Sequence, residues 1–147
     1  MSKVSALYHV VFATKHREMT INSLYKEDLY RFIWSVITAH GCRLLRIGGV
    51  ANHLHILLEL HPNVSLSNLV RGIKSQSSSW LKSTGRHPQF NGWASEYYAA
   101  TLSFDSKDAV IEYIKAQEAH HGAHTFDSEM QSFAICNDIS YHSNDLR

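Results

Sequence analysis

The sequence predicts an α+β fold: a four-stranded antiparallel sheet, two crossover helices on one of its faces, and a further helix near the C-terminus that carries a tyrosine. Three observations predict it. Four short segments rich in Val, Ile, Leu, Tyr and Phe have the length and composition of strands. Two long segments repeat apolar residues at spacings of three and four, the signature of a helix with one buried face. Their order is strand, helix, strand, strand, helix, strand.

Leu7 to Thr14 reads as the first strand. Asn22 to His40 reads as a helix, with Tyr25, Leu29, Phe32, Ile33, Val36, Ile37 and His40 in one stripe and Gly41 placed to end it. Arg43 to Ile47 is the second strand, and Gly48 and Gly49 mark a turn or bulge. His53 to Leu60 is the third strand, closed by His61-Pro62-Asn63. Ser65 to Ser83 is the second helix, with Leu66, Leu69, Val70, Ile73, Trp80 and Leu81 on its apolar face. Residues 84–95 read as a loop and Glu96 to Ser103 as the fourth strand. Asp105 to His121 reads as the third helix, capped by Asp105 or Ser106 and ended at Gly122. Residues 126–137 form a short last helix. This β-α-β-β-α-β order is the ferredoxin-like, RRM-like arrangement, which hosts many unrelated functions, so function has to be argued from side chains.

The 147 residues suit a single domain, 1–147, and 44% apolar content supports a packed core. No apolar stretch approaches the roughly 20 residues that cross a bilayer, and the start has no apolar leader segment. The two cysteines, Cys42 and Cys136, are far apart and read as free thiols of a reducing cytoplasm. Net charge is only +1, but it is unevenly spread. Residues 1–95 hold 11 of the 14 Lys and Arg against 4 of the 13 Asp and Glu, a balance of +7; residues 96–147 come to −6. A basic body with an acidic last third can present a cationic face to a polyanion.

His53-Leu54-His55 is the first feature with chemistry in it. On a strand, residues i and i+2 share a face, so two imidazoles about 7 Å apart along the strand can converge on one divalent ion while Leu54 enters the helix layer. The plain alternative is two surface histidines, and a metal site needs a third ligand. The third helix offers one. Tyr113 and Gln117 are one turn apart, flanked by Val110 and Ile114 on a face turned toward the protein. A glutamine there can give a metal its carbonyl oxygen, with the tyrosine beside it. Packing of Tyr113 and a local hydrogen bond of Gln117 is the alternative. His120 and His121 are rival ligands, better suited to capping the helix C-terminus.

These residues resemble a known family. His53-Leu54-His55 matches the HUH motif, and Tyr113-Ile114-Lys115-Ala116-Gln117 looks like the tyrosine helix of the single-tyrosine HUH transposases of small bacterial insertion sequences. The REP-associated tyrosine transposases are close relatives. Leu7 to Lys15 looks like their first strand, Leu69 to Lys74 with Ser78 to Leu81 like their basic second helix, and Trp93 to Tyr98 like the entry to their fourth strand. The resemblance spans residues 6–135. It implies an enzyme that cleaves and rejoins single-stranded DNA through a 5′-phosphotyrosine intermediate, recognises hairpins at element ends and acts as a homodimer joined through its sheets. It implies Tyr113 as nucleophile and His53, His55 and Gln117 as ligands of Mg²⁺ or Mn²⁺, in a bacterial or archaeal cytoplasm; strand alternation and the helix stripe predict that these ligands meet on an open sheet face. Arg71, Lys74, Lys82 and Arg86 on and after the second helix, with Arg43 and Arg46 on a strand, are the expected phosphate contacts.

Three other functions compete. A non-catalytic module could bind single strands by stacking bases on Tyr8, Phe12, Tyr97 and Tyr98. A metal-dependent nuclease could use water in place of Tyr113. A domesticated HUH endonuclease could keep cutting without mobility.

Overall fold

The computed structural model describes residues 2–119, 126–140 and 142. Strand β1 (Leu7–Ala13) leads through a 3₁₀ turn to helix α1 (Lys26–Ala39), then strands β2 (Arg43–Val50) and β3 (His53–Glu59), helix α2 (Leu66–Thr84) and strand β4 (Tyr98–Leu102). A second 3₁₀ turn, Phe104–Ser106, enters helix α3 (Lys107–Ala119), and helix α4 (Phe126–Cys136) follows. The sheet order is β2-β3-β1-β4 with every neighbour antiparallel, which is the predicted topology. The predicted cap of the third helix at Gly122, and the rival ligands His120 and His121, lie outside the described residues.

Strand alternation divides the sheet. Val10, Phe12, Leu54, Ile56 and Leu58 point to one side and pack with Leu29, Ile33 and Ile37 of α1 and Leu69, Ile73 and Leu81 of α2. Helix α1 is shorter than its periodicity suggests. Asn22 accepts a hydrogen bond from the Leu24 backbone (3.0 Å) and holds residues 22–25 in a turn. Tyr25 is therefore 39% exposed, and Tyr30, absent from the predicted stripe, is buried. Both helix ends follow local chemistry. Gly41 (φ +77°) and Gly85 (φ +72°) take the left-handed conformation just after α1 and α2. The Ser65 hydroxyl caps the start of α2 by accepting from Asn68 N at 3.2 Å.

The other side of the sheet differs from expectation. Predicted open, it is covered by α3 and by α4, whose Met130, Phe133 and Ala134 pack on Val11, Ala13 and Tyr98. Gly48 and Gly49 are not a turn, because β2 runs on through them to Val50. Their smallness serves packing. A Cβ on Gly48 would stand 2.9 Å from Ile114 Cγ2 and 3.2 Å from its carbonyl oxygen, so only glycine lets α3 lie this close to the sheet. Neither side offers a base-stacking platform: Phe12 is 0% exposed in the α1–α2 core, where Tyr8 and Tyr97 pack against it, and Tyr98 is 6% exposed beneath α4.

Candidate active site

His53 and His55 lie on the α3–α4 side of β3, paired with Ala13 and Val11 of β1. Both are buried. Each ring is held through Nδ1. His53 Nδ1 stands 2.8 Å from Asn52 Oδ1. An amide oxygen only accepts, so a proton sits on Nδ1 and Nε2 is the ring nitrogen turned to the site. His55 Nδ1 is 2.9 Å from Nε2 of His9, a buried histidine on the neighbouring strand. Locking Nδ1 leaves Nε2 as the ligating atom, the way metal-bound histidines are oriented.

The two Nε2 atoms face one carboxylate, that of Glu129 on α4. Glu129 Oε1 lies 2.7 Å from His55 Nε2, and Oε2 lies 3.2 Å from His53 Nε2. That second approach is too poorly aligned for a hydrogen bond, and His53 Nε2 stays buried without one. Tyr113 Oη donates to Glu129 Oε1 at 3.1 Å, its ring edge-on to His55 and His9. The Gln117 amide completes the group. One of its two terminal atoms stands 2.6 Å from Glu129 Oε1 and 3.2 Å from Oε2, and with the nitrogen in that position it donates to the carboxylate. The four residues read from sequence are thus brought together within a single chain.

Charge in this group is tightly constrained. Burial pushes His55 down, and burial with the charge of His55 pushes His9 down to about 3. Burial works against ionisation of Glu129, but the close approach of His53 and the hydrogen bond to His55 outweigh this and hold the carboxyl well below the usual range. Burial, then the Glu129 charge, pushes the Tyr113 phenol above its usual range. A divalent metal fits this donor set. His53, His55 and Glu129 offer ligand atoms within 4.8 Å of one another, the Gln117 amide is adjacent, and the orphaned His53 Nε2 lacks a partner that a cation would supply.

Two participants escaped the sequence reasoning. The sequence places Glu129 only in a short helix and His9 only in a strand. Each stands in an apolar register: Phe126, Glu129, Met130 and Phe133 follow helical spacing, and Leu7, His9, Val11 and Ala13 alternate along β1. A titratable residue inside a buried stripe was the available signal. The six expected DNA contacts are divided between the two layers. Arg43 and Arg46 pair with Glu59 and Leu57 on the histidine side, and Arg43 is salt-bridged to Glu59 at 3.3 Å. Arg71, Lys74 and Lys82 belong to α2 in the opposite layer. Lys74 donates to Ser95 O at 3.1 Å, and Arg86, just past α2, pairs with Asp28.

Comparison with known proteins adds to this geometry. Residues 2–117 match the family model described as "Transposase IS200 like". The transposase of insertion sequence element IS200 from Salmonella typhimurium is 28% identical over 117 residues, 75% of each chain. The ISDra2 transposase TnpA of Deinococcus radiodurans is 20% identical over 117 residues, covering 75% of this chain and 82% of that one. Two solved structures share the fold. A transposase from Deinococcus radiodurans R1 aligns with a TM-score of 0.64 at 23% identity, over 79% of this chain and 93% of the other. A REP-associated tyrosine transposase bound to a REP hairpin aligns with a TM-score of 0.61 at 16% identity, over 99% and 95%.

Proposed function

This chain belongs to the IS200-like transposase family and is a DNA transposase, an enzyme of DNA cleavage and strand transfer, and from that premise we propose that it cuts and rejoins single-stranded DNA through Tyr113, beside a divalent metal held by His53, His55 and Gln117. The observation that carries this reading is convergence on one point. His55 Nε2, the Tyr113 hydroxyl and the Gln117 amide stand 2.7, 3.1 and 2.6 Å from the same oxygen, Glu129 Oε1. His53 Nε2 lies against the other oxygen of that carboxylate.

Mg²⁺ or Mn²⁺, when bound, would draw charge from a non-bridging phosphate oxygen and align the scissile phosphate. The chain's own residues do the rest. The Tyr113 oxygen gives up its proton and forms a new bond to phosphorus, the bond from phosphorus to the 3′ oxygen breaks, and that oxygen leaves with the electron pair and takes up a proton, so protons balance over the step. One phosphodiester replaces another, so the 5′-phosphotyrosine stores the energy needed to rejoin. Glu129 Oε1 accepts the phenol's hydrogen bond in the resting site, and its charge, added to burial, keeps Tyr113 protonated there. In the second half a 3′-hydroxyl attacks the same phosphorus and the phenol leaves.

The substrate we infer is a DNA hairpin next to a single-stranded cleavage site, supported by the hairpin bound to the structural neighbour. Arg43, Arg46, Arg71, Lys74, Lys82 and Arg86 are its proposed phosphate contacts. A homodimer joined through the sheets accompanies this reading, and β2 and β4 are the two edge strands open to such pairing; sedimentation tests it. Among the described residues no helix is long and apolar enough to cross a membrane, and the proposed place of action is the cytoplasm of a bacterial or archaeal cell.

The test is denaturing electrophoresis of the protein with 3′-labelled single-stranded DNA from the flanks of its own gene. A covalent adduct that maps to Tyr113 is expected. An adduct on another tyrosine, or a free 5′ end with no adduct, overturns the assignment.

A further inference from the structure

We propose that Glu129, carried by α4, is an additional ligand of the metal, so that binding of the ion fastens the C-terminal helix to the sheet and to the tyrosine helix. The inference rests on the metal reading above and adds a donor that neither the histidine pair nor the tyrosine helix contains.

The argument begins from what faces what. Glu129 is held in place by Met130, Phe133 and Ala134, which are packed on the sheet, and its side chain is 13% exposed. Its two oxygens do not turn to water; each turns to a different imidazole Nε2. The Asn52 oxygen engages His53 through Nδ1, so Nε2 is the atom that faces a carboxylate oxygen, across 3.2 Å and without hydrogen-bond alignment. Two ligating atoms at that distance with no hydrogen bond between them suit a cation shared by both.

Distances fit a metal. Ligand atoms about 2.1 Å from a Mg²⁺-sized ion in octahedral geometry stand about 3 Å apart along each edge. The two histidine-to-carboxylate separations, 2.7 and 3.2 Å, bracket that edge. Gln117 supports the same point. Its outer amide atom lies 2.6 Å from Glu129 Oε1. With nitrogen there the pair is a hydrogen bond. With the carbonyl oxygen turned in, two acceptors face each other and share an ion. The amide therefore has a metal-free and a metal-bound orientation at the same place, and the carboxylate is the group it answers to.

Glu129 also has supports that keep α4 in register without it. Asp127 is salt-bridged to Arg17 at 2.7 Å, and the Arg17 guanidinium lies 4.4 Å from the centre of the Phe126 ring. Phe126 in turn is edge-on to His53 at 4.8 Å. A substitution at Glu129 can thus remove the ligand and leave the helix docked.

Mn²⁺ binding to the full chain, read by calorimetry and by electron paramagnetic resonance without DNA, tests the proposal. Glu129→Gln keeps the shape and one carbonyl oxygen but loses the charge; Glu129→Ala removes the donor and serves as the second variant, with circular dichroism confirming the fold of each. Affinity at least tenfold weaker in both is expected, with loss of binding in the His53→Ala/His55→Ala double variant. Hydrogen exchange of residues 126–136 is the second readout: Mn²⁺ should slow it in the wild type and leave it unchanged in Glu129→Ala. If both Glu129 variants bind Mn²⁺ as the wild type does while the double histidine variant does not, Glu129 is only a hydrogen-bond acceptor and the inference fails with the metal reading intact. If the wild type itself binds no Mn²⁺, both fail together.

Discussion

On the α1–α2 side of the sheet, Phe12, Leu54, Ile56 and Leu58 are fully buried among aliphatic neighbours. On the α3–α4 side, one residue along the same strands and at similar depth, lie His9, His53 and His55, between 0 and 7% exposed. Burial alone therefore does not separate core from site. The difference is in what the buried atoms need. The first side gains stability from apolar area removed from water, about 25 cal/mol per Å². The second buries imidazoles and a carboxylate, which cost free energy unless each finds a partner. It holds a polar network, with one nitrogen, His53 Nε2, left without a hydrogen bond. A protein keeps such an arrangement for chemistry rather than for stability.

The sharpest break between the sides is at Tyr113. Tyr113→Phe keeps the ring against His55 and His9 and removes only the hydroxyl. Cleavage should fall on the order of a thousandfold or more, since no other group forms the covalent bond. Unfolding free energy should move by less than about 1 kcal/mol, as for a half-exposed side chain. Adduct yield on labelled DNA and chemical denaturation read the two quantities. A variant that still cleaves through water would assign this centre to a nuclease.

Neighbouring residues on β3 allow a crossed test. Leu54→Ala should cost about 2–5 kcal/mol, the range for emptying a well-packed aliphatic site, and should leave Mn²⁺ affinity within a few-fold once the protein is folded. His55→Ala should reverse the pattern, losing Mn²⁺ affinity and costing under about 2 kcal/mol, because Glu129 keeps its contacts with His53, Tyr113 and Gln117. Equal stability losses in both would mean that the histidine side is ordinary core. Urea unfolding and calorimetric titration of the two variants decide it.

The same contrast explains what could be read from the sequence. Periodicity exposes whatever repeats, so strand order, α1, α2 and their apolar stripe were legible, and so was the His53–His55 pair. Tyr113 and Gln117 were legible because one helical turn separates them. Glu129 was not, since its histidine partners lie 74 and 76 residues away in β3 and its other two partners sit on a separate helix, and only the tertiary packing of α4 brings them together. His9 escaped for the same reason: its partner is His55 across the β1–β3 pairing. The covered sheet face was missed because strand alternation says which side a residue takes, not which helix returns to cover it. Gly48 and Gly49 read as a turn or bulge because the sequence does not announce the close approach of α3.

Acid should affect the two sides unequally. His9 is pushed down to about 3 and His55 is pushed down as well, so between their folded and unfolded values the unfolded chain binds protons that the folded chain refuses. Stability is therefore complete above pH 6.5, the unfolded histidine value, and is lost as pH falls below it. Each such group costs about 1.4 kcal/mol per pH unit in that window. Glu129 has the same sign: its lowered carboxyl stabilises the fold above the unfolded value of 4.5, and this is lost in stronger acid. His9→Gln should flatten the decline between pH 6.5 and 5 in thermal denaturation of the metal-free protein. An unchanged slope would mean that His9 is not the group that resists protonation.

The smallest expected effect concerns the basic residues, and it tests whether DNA uses one side of the molecule or both. Arg71 is exposed and Lys74 half-buried on α2, away from the histidines; burial pushes the Lys74 ammonium pKa down, and Lys74 already donates to Ser95 O. Arg46 is exposed on the edge strand, on the histidine side. If a hairpin stem spans the sheet edge, each phosphate contact contributes about one unit to the slope of log affinity against log salt. Arg71→Ala/Lys74→Ala should then lower that slope by up to about two and weaken binding of many hairpins alike, and Arg46→Ala should lower it by about one. Arg86→Ala should do less than Arg46→Ala, because Arg86 must first give up its salt bridge to Asp28. Fluorescence anisotropy of a labelled hairpin from low to high salt measures all three. A loss confined to Arg46→Ala would restrict the DNA to the face that holds Tyr113, and binding independent of salt would remove these residues from DNA recognition altogether.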